Sequence, residues 1–202
     1  MAGNGGDRGT MLAVRASTEA IERVLREAGI DLVLANKNTP EQTVLSGSRS
    51  EIERATAAFK EASIPVTPLS VAAAFHSAFV AEASEPFAQS LTNIDIQSPE
   101  ATVYGNTNAA PYPSDPGAIR EQLAAQLANP VEFVKEIERM HADGVRTFME
   151  VGPGARLSGM VGKILGDAPH RCVALDASNG KKDGIADLGR LVSALAAEGR
   201  AV

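Results

Sequence analysis

TMLAVRASTEAIERVLREAGIDLVLANKNTPEQTVLSGSRSEIERATAAFKEASIPVTPL, residues 10–69, is the stretch whose pattern decides the fold. Met11 to Val14 is a short apolar run and reads as a strand. Ser17 stands at an N-cap position with Glu19 close behind, and Ile21, Val24, Leu25 and Ala28 recur at helical spacing until Gly29 stops them. Leu32 to Ala35 reads as a second strand, followed by a turn-rich Asn36-Lys37-Asn38-Thr39-Pro40, and Gln42 to Leu45 as a third. Gly47 and Ser48 break it, and Ser50 starts a helix with Ile52, Ala55 and Phe59 on one face. Ile64 to Leu69 reads as a fourth strand. The order β-α-β-β-α-β is the ferredoxin-like signature, in which two helices cover one face of a four-stranded antiparallel sheet. Many unrelated activities use that arrangement, so by itself it assigns none.

Outward from this stretch, residues 1–9 are Gly-rich and polar and read as a flexible leader, leaving 10–70 as the ferredoxin-like subdomain. After Ser70 the pattern changes. A helix is predicted on Val80, Ala83, Phe87 and Leu91, a strand at Thr102 to Tyr104, and a loop around Pro111, Pro113 and Pro116. Ile119, Leu123 and Leu127 mark a helix that should stop near Pro130. Val134, Ile137 and His141 mark the next, ended by Gly144. Thr147 to Val151 reads as a strand, Gly152-Pro153-Gly154 as a tight turn, and Leu157, Val161, Ile164 and Leu165 as a helical stripe. Val173 to Leu175 and the Ile185 to Ala197 helix close the chain. Strand-helix alternation of this kind indicates part of an α/β fold over 71–168, followed by a linker and helix over 169–202.

Composition narrows the function classes. Of the 202 residues 44% are apolar but only 4% aromatic, so Ala, Val, Leu and Ile supply the packing. A net charge of -6, with the two signs interspersed, argues against a nucleic-acid or anionic-membrane surface. One cysteine, Cys172, excludes an internal disulfide, and His76, His141 and His170 lie too far apart in sequence for metal-ligand spacing. No apolar run is long enough to span a bilayer, and the N-terminal residues lack a signal-peptide pattern, so a cytoplasmic location is expected.

His76 is the principal candidate for chemistry. It ends the small apolar segment Ala72-Ala73-Ala74-Phe75, just before a helix. Imidazole titrates near neutrality, so His76 could move protons. From the residues alone it could equally be a packed structural histidine or a polar residue near a helix N-cap. Gly152-Pro153-Gly154 lacks a following Gly-Lys-Ser/Thr, which makes a phosphate loop a weak reading.

Four motifs in order change that balance: Ala35 to Gly47, Ala74-Phe75-His76-Ser77, Asn129-Pro130-Val131-Glu132-Phe133, and Glu150-Val151-Gly152-Pro153-Gly154. Together they resemble the acyltransferase domains of polyketide, polyunsaturated fatty acid and enediyne synthases and the malonyl-CoA:acyl-carrier-protein transacylases, from about Thr10 to Gly166. The resemblance implies a ferredoxin-like subdomain inserted in an α/β-hydrolase-like core, of which this chain has the C-terminal part. It implies transfer of a malonyl or similar acyl group from coenzyme A to the phosphopantetheine thiol of an acyl carrier protein, through an acylated serine, with no permanently bound cofactor. His76 matches the family's catalytic histidine, and Gln126 the residue whose main chain orients it. Phe75 matches a position that screens α-branched acyl groups, and Asn106 a loop asparagine near the pocket, where a turn role is equally open.

A nucleophile elbow requires Gly-x-Ser-x-Gly, and no serine here meets it. The nearest, in Asp176-Ala177-Ser178-Asn179-Gly180, lacks the first glycine. The resemblance places the family's Gly-His-Ser-x-Gly segment, oxyanion-hole segment and malonyl-pairing arginine ahead of Met1. The chain is therefore expected to be inactive alone, and its expected partners are that N-terminal half, an acyl carrier protein and neighbouring synthase domains. The competing reading is a non-catalytic fragment or docking module for a carrier protein within a multidomain synthase. A small-molecule-binding ferredoxin-like regulator is a third, disfavoured because it has no use for the Ala-Phe-His-Ser and Glu-Val-Gly-Pro-Gly motifs.

Overall fold

Strands β1 (Thr10–Val14), β2 (Val33–Thr39), β3 (Gln42–Gly47) and β4 (Val66–Leu69) form one sheet in the order β2-β3-β1-β4, with every neighbouring pair antiparallel. Helices α1 (Thr18–Ala28) and α2 (Arg49–Glu61) connect them, which is the ferredoxin-like topology. The computed structural model describes residues 8–199, so leader residues 1–7 lie outside the described residues.

Local chemistry explains each boundary. Ser17 accepts a hydrogen bond from Ala20 N and opens α1, and Gly29, at φ 59°, closes it in the left-handed conformation. Ser48, and not Ser50, caps α2, accepting from Glu51 N at 3.2 Å. Leu12, Val14, Ile21, Leu25, Leu45, Ile52, Ala55 and Phe59 form the main core between sheet and helices. Side chains of this size each stabilise the fold by about 1.5–3 kcal/mol on burial. The opposite sheet face carries a second cluster, Met11, Ala35 and Val44.

One element departs from its sequence reading with consequences for the site. The Asn36 to Thr39 segment is strand, not turn: β2 runs to Thr39 through two register shifts, and only Pro40 and Glu41 turn the chain. Asn and Lys have weak strand propensity, but tertiary pairing overrides it. The predicted 80–91 helix is split into a 3-10 helix (Ala78–Ala83) and α3 (Ser84–Thr92), and the 102–104 strand shrinks to β5 (Tyr104–Gly105), paired with β6 (Ala110–Pro111). α4 (Pro116–Ala125) starts on Asp115, which accepts from Ala118 N at 2.7 Å, and Arg120 ties it to α3 by donating to Leu91 O.

The chain divides into two compact units, Met1–Glu136 and Ile137–Val202, and α5 (Phe133–Ala142) contains the division. In the second unit β7 (Thr147–Pro153) and β8 (Arg171–Asp176) pair in parallel, with α6 (Arg156–Leu165) as the crossover and α7 (Gly184–Ala196) following. β7 continues through Gly152 and Pro153, so the predicted turn is delayed to Gly154, at φ 81°. Among the described residues no helix is long and apolar enough to cross a membrane.

Arg8 and Gly9, read from sequence as the end of the leader, are held in place. Arg8 O accepts from Ala74 N at 2.8 Å, and Gly9 is buried. A Cβ on Gly9 would meet Gly47 O at 2.4 Å and Ala74 Cβ at 2.5 Å, so the segment leading to His76 lies directly on the strand end. Gly9→Ala is therefore expected to cost about 1–3 kcal/mol from overpacking, in addition to the left-handed backbone penalty. Gly29→Ala, where nothing lies within 4 Å, should show the backbone penalty alone. Urea unfolding of both variants checks this; equal losses would mean Ala74 yields freely.

Candidate active site

His76 makes three contacts with the turn after α4, and its own segment is pinned on either side. Ala74, two residues upstream, is fully buried, and Ser77, immediately downstream, donates its hydroxyl to Ala74 O at 2.6 Å. His76 N donates to Leu127 O at 3.2 Å, and its ring Nδ1 lies 3.1 Å from both Gln126 O and Asn129 O. The residue sits at φ 58°, left-handed for a side-chain-bearing residue, a conformation that surrounding bonds must enforce.

The two ring contacts fix the proton. A carbonyl oxygen can only accept, so Nδ1 carries the hydrogen and donates to Gln126 O and Asn129 O. In the neutral ring the lone pair is then at Nε2. These acceptors are available because of the sequence around them. Gln126 follows the last residue of α4, and its helical partner four residues on would be Pro130, which has no N–H. Gln126 O is thus left without a helical donor, and it lies at the negative end of the helix dipole.

The acceptor loop is braced by its own side chains. Thr107 Oγ1 donates to Gln126 Oε1, Gln126 Nε2 to Asn129 O at 3.4 Å, and Asn129 Nδ2 to Ala125 O at 2.9 Å. Asn106, a candidate from sequence, contributes its main chain: Glu132 N donates to Asn106 O at 2.7 Å. Val131 N donates to Ala35 O at 2.8 Å and Val131 O accepts from Lys37 N at 3.0 Å, adding the 129–132 segment beside β2. Lys37 Nζ lies 2.5 Å from Glu132 Oε1. Burial pushes the Glu132 carboxyl up, but hydrogen bonds and charge from Lys37 and Lys135 outweigh it and hold the group below the usual glutamate range. Three of the four sequence motifs thus meet within the first unit.

Phe75 is 43% exposed and is not part of the described core clusters. The fourth motif, in the second unit, has a local role that sequence reasoning missed. Glu150 accepts from Leu157 N at 3.2 Å and from Ser158 N and Oγ, each at 2.8 Å, and so caps α6, where Ala155 at the N-cap has no capping group. With the first turn of α6 already bonded to a carboxylate, the phosphate-loop reading has no support. Ser178 donates to Asp187 Oδ2 at 2.5 Å and accepts from Lys182 N, which suits a turn. Among the described residues no three His, Cys, Asp or Glu are grouped to hold a metal.

Comparison with known proteins accords with this geometry. A family model for the acyl transferase domain matches residues 1–184. A malonyl CoA-acyl carrier protein transacylase of Haemophilus influenzae is 36% identical over 163 residues, covering 79% of this chain and 52% of that protein. A crystal structure of malonyl CoA-acyl carrier protein transacylase from Clostridium perfringens superposes with a TM-score of 0.83 at 29% identity, covering 96% of this chain and 60% of that one. A solved complex of a type II polyketide-synthase acyl-carrier protein with its malonyl-transacylase superposes with a TM-score of 0.78 at 28% identity, covering 92% and 60%. The chain thus spans about half to three-fifths of the length of these three.

Glu136, on α5 near Tyr112, is the most strongly shifted group: burial, at 8% exposure, pushes its carboxyl up to about 7. In the unfolded chain it ionises near 4.5. A raised folded value means the contribution is fully present below pH 4.5 and is lost as pH rises through 7. Glu136→Gln removes this titration. The stability of wild type relative to the Gln variant should fall by about 1–3 kcal/mol across that window. Denaturant unfolding of both proteins at several pH values measures it, and parallel profiles would contradict it.

Proposed function

The chain belongs to the acyl transferase domain family, and on that premise we propose that it is the histidine-bearing part of an acyltransferase that moves a malonyl, or similar, group from coenzyme A to the thiol of an acyl carrier protein. The observation that carries this reading is the double carbonyl grip on His76 Nδ1, which leaves Nε2 as the basic atom. The names of the related transacylases supply the substrate class, and the complex with an acyl-carrier protein supplies the class of acceptor.

In this mechanism a serine hydroxyl from outside these 202 residues approaches Nε2. As its oxygen attacks the thioester carbonyl, its proton passes to Nε2. Gln126 O and Asn129 O support the resulting imidazolium through Nδ1–H. The tetrahedral adduct collapses, the C–S bond breaks, and the departing coenzyme A sulfur takes the proton from Nε2. The carrier's phosphopantetheine thiol then gives its proton to Nε2 and attacks the acyl-serine. Collapse expels the serine oxygen, which recovers that proton. Proton transfer of this kind contributes about 10²- to 10⁴-fold in rate. No cofactor is needed for any step.

Phe75, exposed beside His76, is placed in this reading to crowd an α-branch on the acyl group. One methyl in a shaped pocket is worth about 1–3 kcal/mol.

The reading is tested by combining this chain with a polypeptide carrying the Gly-His-Ser-x-Gly segment, adding malonyl-CoA, and following serine acylation by intact mass. Acylation should require this chain and fall about 10²- to 10⁴-fold in His76→Ala. Retained carrier binding with no acylation in any combination would favour a docking module. In the same assay Phe75→Ser should move the malonyl-to-methylmalonyl rate ratio toward methylmalonyl by about tenfold or more. An unchanged ratio would remove Phe75 from the acyl site.

A further inference from the structure

Both residues that offer acceptors to His76 Nδ1 bond back to α4, and Asn129 has in addition a support on its other side. Gln126 directly follows α4, and its N–H bonds back to Gln122 O at 3.1 Å, so the helix fixes it. Asn129 lies one turn further on, where its N–H donates to Ala125 O at 3.1 Å and its Nδ2 to the same oxygen at 2.9 Å, while its following residue, Pro130, has no N–H to add a bond. On the C-terminal side of its carbonyl, Val131 and Glu132 are attached to β2. That attachment has three bonds: Val131 N to Ala35 O, Lys37 N to Val131 O, and Lys37 Nζ to Glu132 Oε1. Pro130, with a restricted φ, stiffly connects this clamp to the Asn129 carbonyl.

We propose that Lys37 is a positioning residue for His76, acting through Glu132 and the 129–132 segment to keep the Asn129 carbonyl on Nδ1. Its catalytic meaning rests on the acyltransferase reading above, whereas its structural content does not. Two features favour Lys37 over a general role for any nearby cation. Lys37 and Glu132 are mostly shielded, at 26% and 14% side-chain exposure, so their charge-assisted bond is weakly screened by water. Lys135 reaches the other oxygen of the same carboxylate at 3.2 Å, but it is 64% exposed and stands on α5 with Glu132's own segment, so it makes no connection to β2. Lys37 also joins the segment through its main chain, which fixes where its side chain begins.

The test reads the ring directly. Nitrogen-15 NMR of the imidazole, at a pH where the ring is neutral, separates a protonated Nδ1 from a protonated Nε2; His76→Gln assigns the signal among the three histidines. Wild type should show the Nδ1–H form. Lys37→Met should replace it by a mixture of tautomers in exchange. Lys37→Arg should retain the wild-type pattern, and Lys135→Met should leave it unchanged. Exchanging the pair, as Lys37→Glu with Glu132→Lys, should recover part of the Nδ1–H signal and covers the case in which Lys37→Met does not fold. An unaltered tautomer in Lys37→Met, or an equal change in Lys135→Met, overturns the proposal; where Lys37→Met does not fold, no recovery in the exchanged pair does so. Failure of the acyltransferase reading would look different: no serine acylation, with the tautomer effect of Lys37 intact.

Discussion

The site depends on a hydrogen bond that cannot form. Pro130 has no N–H, so the Gln126 carbonyl four residues earlier has no continuation of α4 to bond to. The turn after the helix therefore offers free acceptors, and His76 occupies three of them, with its backbone N–H on Leu127 O and its ring on Gln126 O and Asn129 O. A left-handed backbone at a histidine would otherwise be unfavourable by about 1–2 kcal/mol. Here the geometry that costs this energy also lets one residue direct both its main-chain N–H and its ring at the same helix end.

The ferredoxin-like sheet contributes support more than chemistry. One face is covered by α1 and α2, and that face builds the larger core. The other face and its strand ends receive the segments that matter to the site: Ala74 lies against Gly9, which is itself beside Gly47 O, and Val131 pairs beside β2. His76 and its acceptor loop, 50 to 53 residues apart in sequence, are thus registered against one sheet. Two flexible loops facing each other could not hold a pair of 3.1 Å bonds without such a reference.

Much of the lobe was legible in the sequence because its signals are local. Ser17, Gly29 and the Ile52, Ala55, Phe59 stripe act within one helix, and each sits as the periodicity predicts. The errors fall where distant pairing overrides local preference. Asn36-Lys37-Asn38 has turn chemistry, yet it is strand, since β3 and Val131 supply hydrogen bonds that no local window contains. Gly9 reads as leader until Ala74 is laid on it. Within the site, the residue types were visible but their supports were not. Gln126 was expected to act through its main chain, and it does contact His76 that way, whereas Asn129, Thr107 and the Lys37–Glu132 pair were missed. One signal was present and unread: the four-residue interval from Gln126 to Pro130 announces an unpaired carbonyl.

The choice of carbonyls over a carboxylate at Nδ1 has a physical consequence for the proposed transfer, in which the histidine would act twice. A carboxylate would attract the imidazolium by opposite charge and make its proton harder to release. Two carbonyl dipoles orient the ring and select its tautomer, while the net charge beside it stays unchanged. In the proposed transfer with two half-reactions, the ring would take a proton from a hydroxyl, give one to a leaving sulfur, take one from a thiol and give one to a leaving oxygen. The helix end holds both acceptor residues, Gln126 through Gln122 O and Asn129 through Ala125 O, and the attachment of Val131 and Glu132 to β2 holds the segment that follows the Asn129 carbonyl.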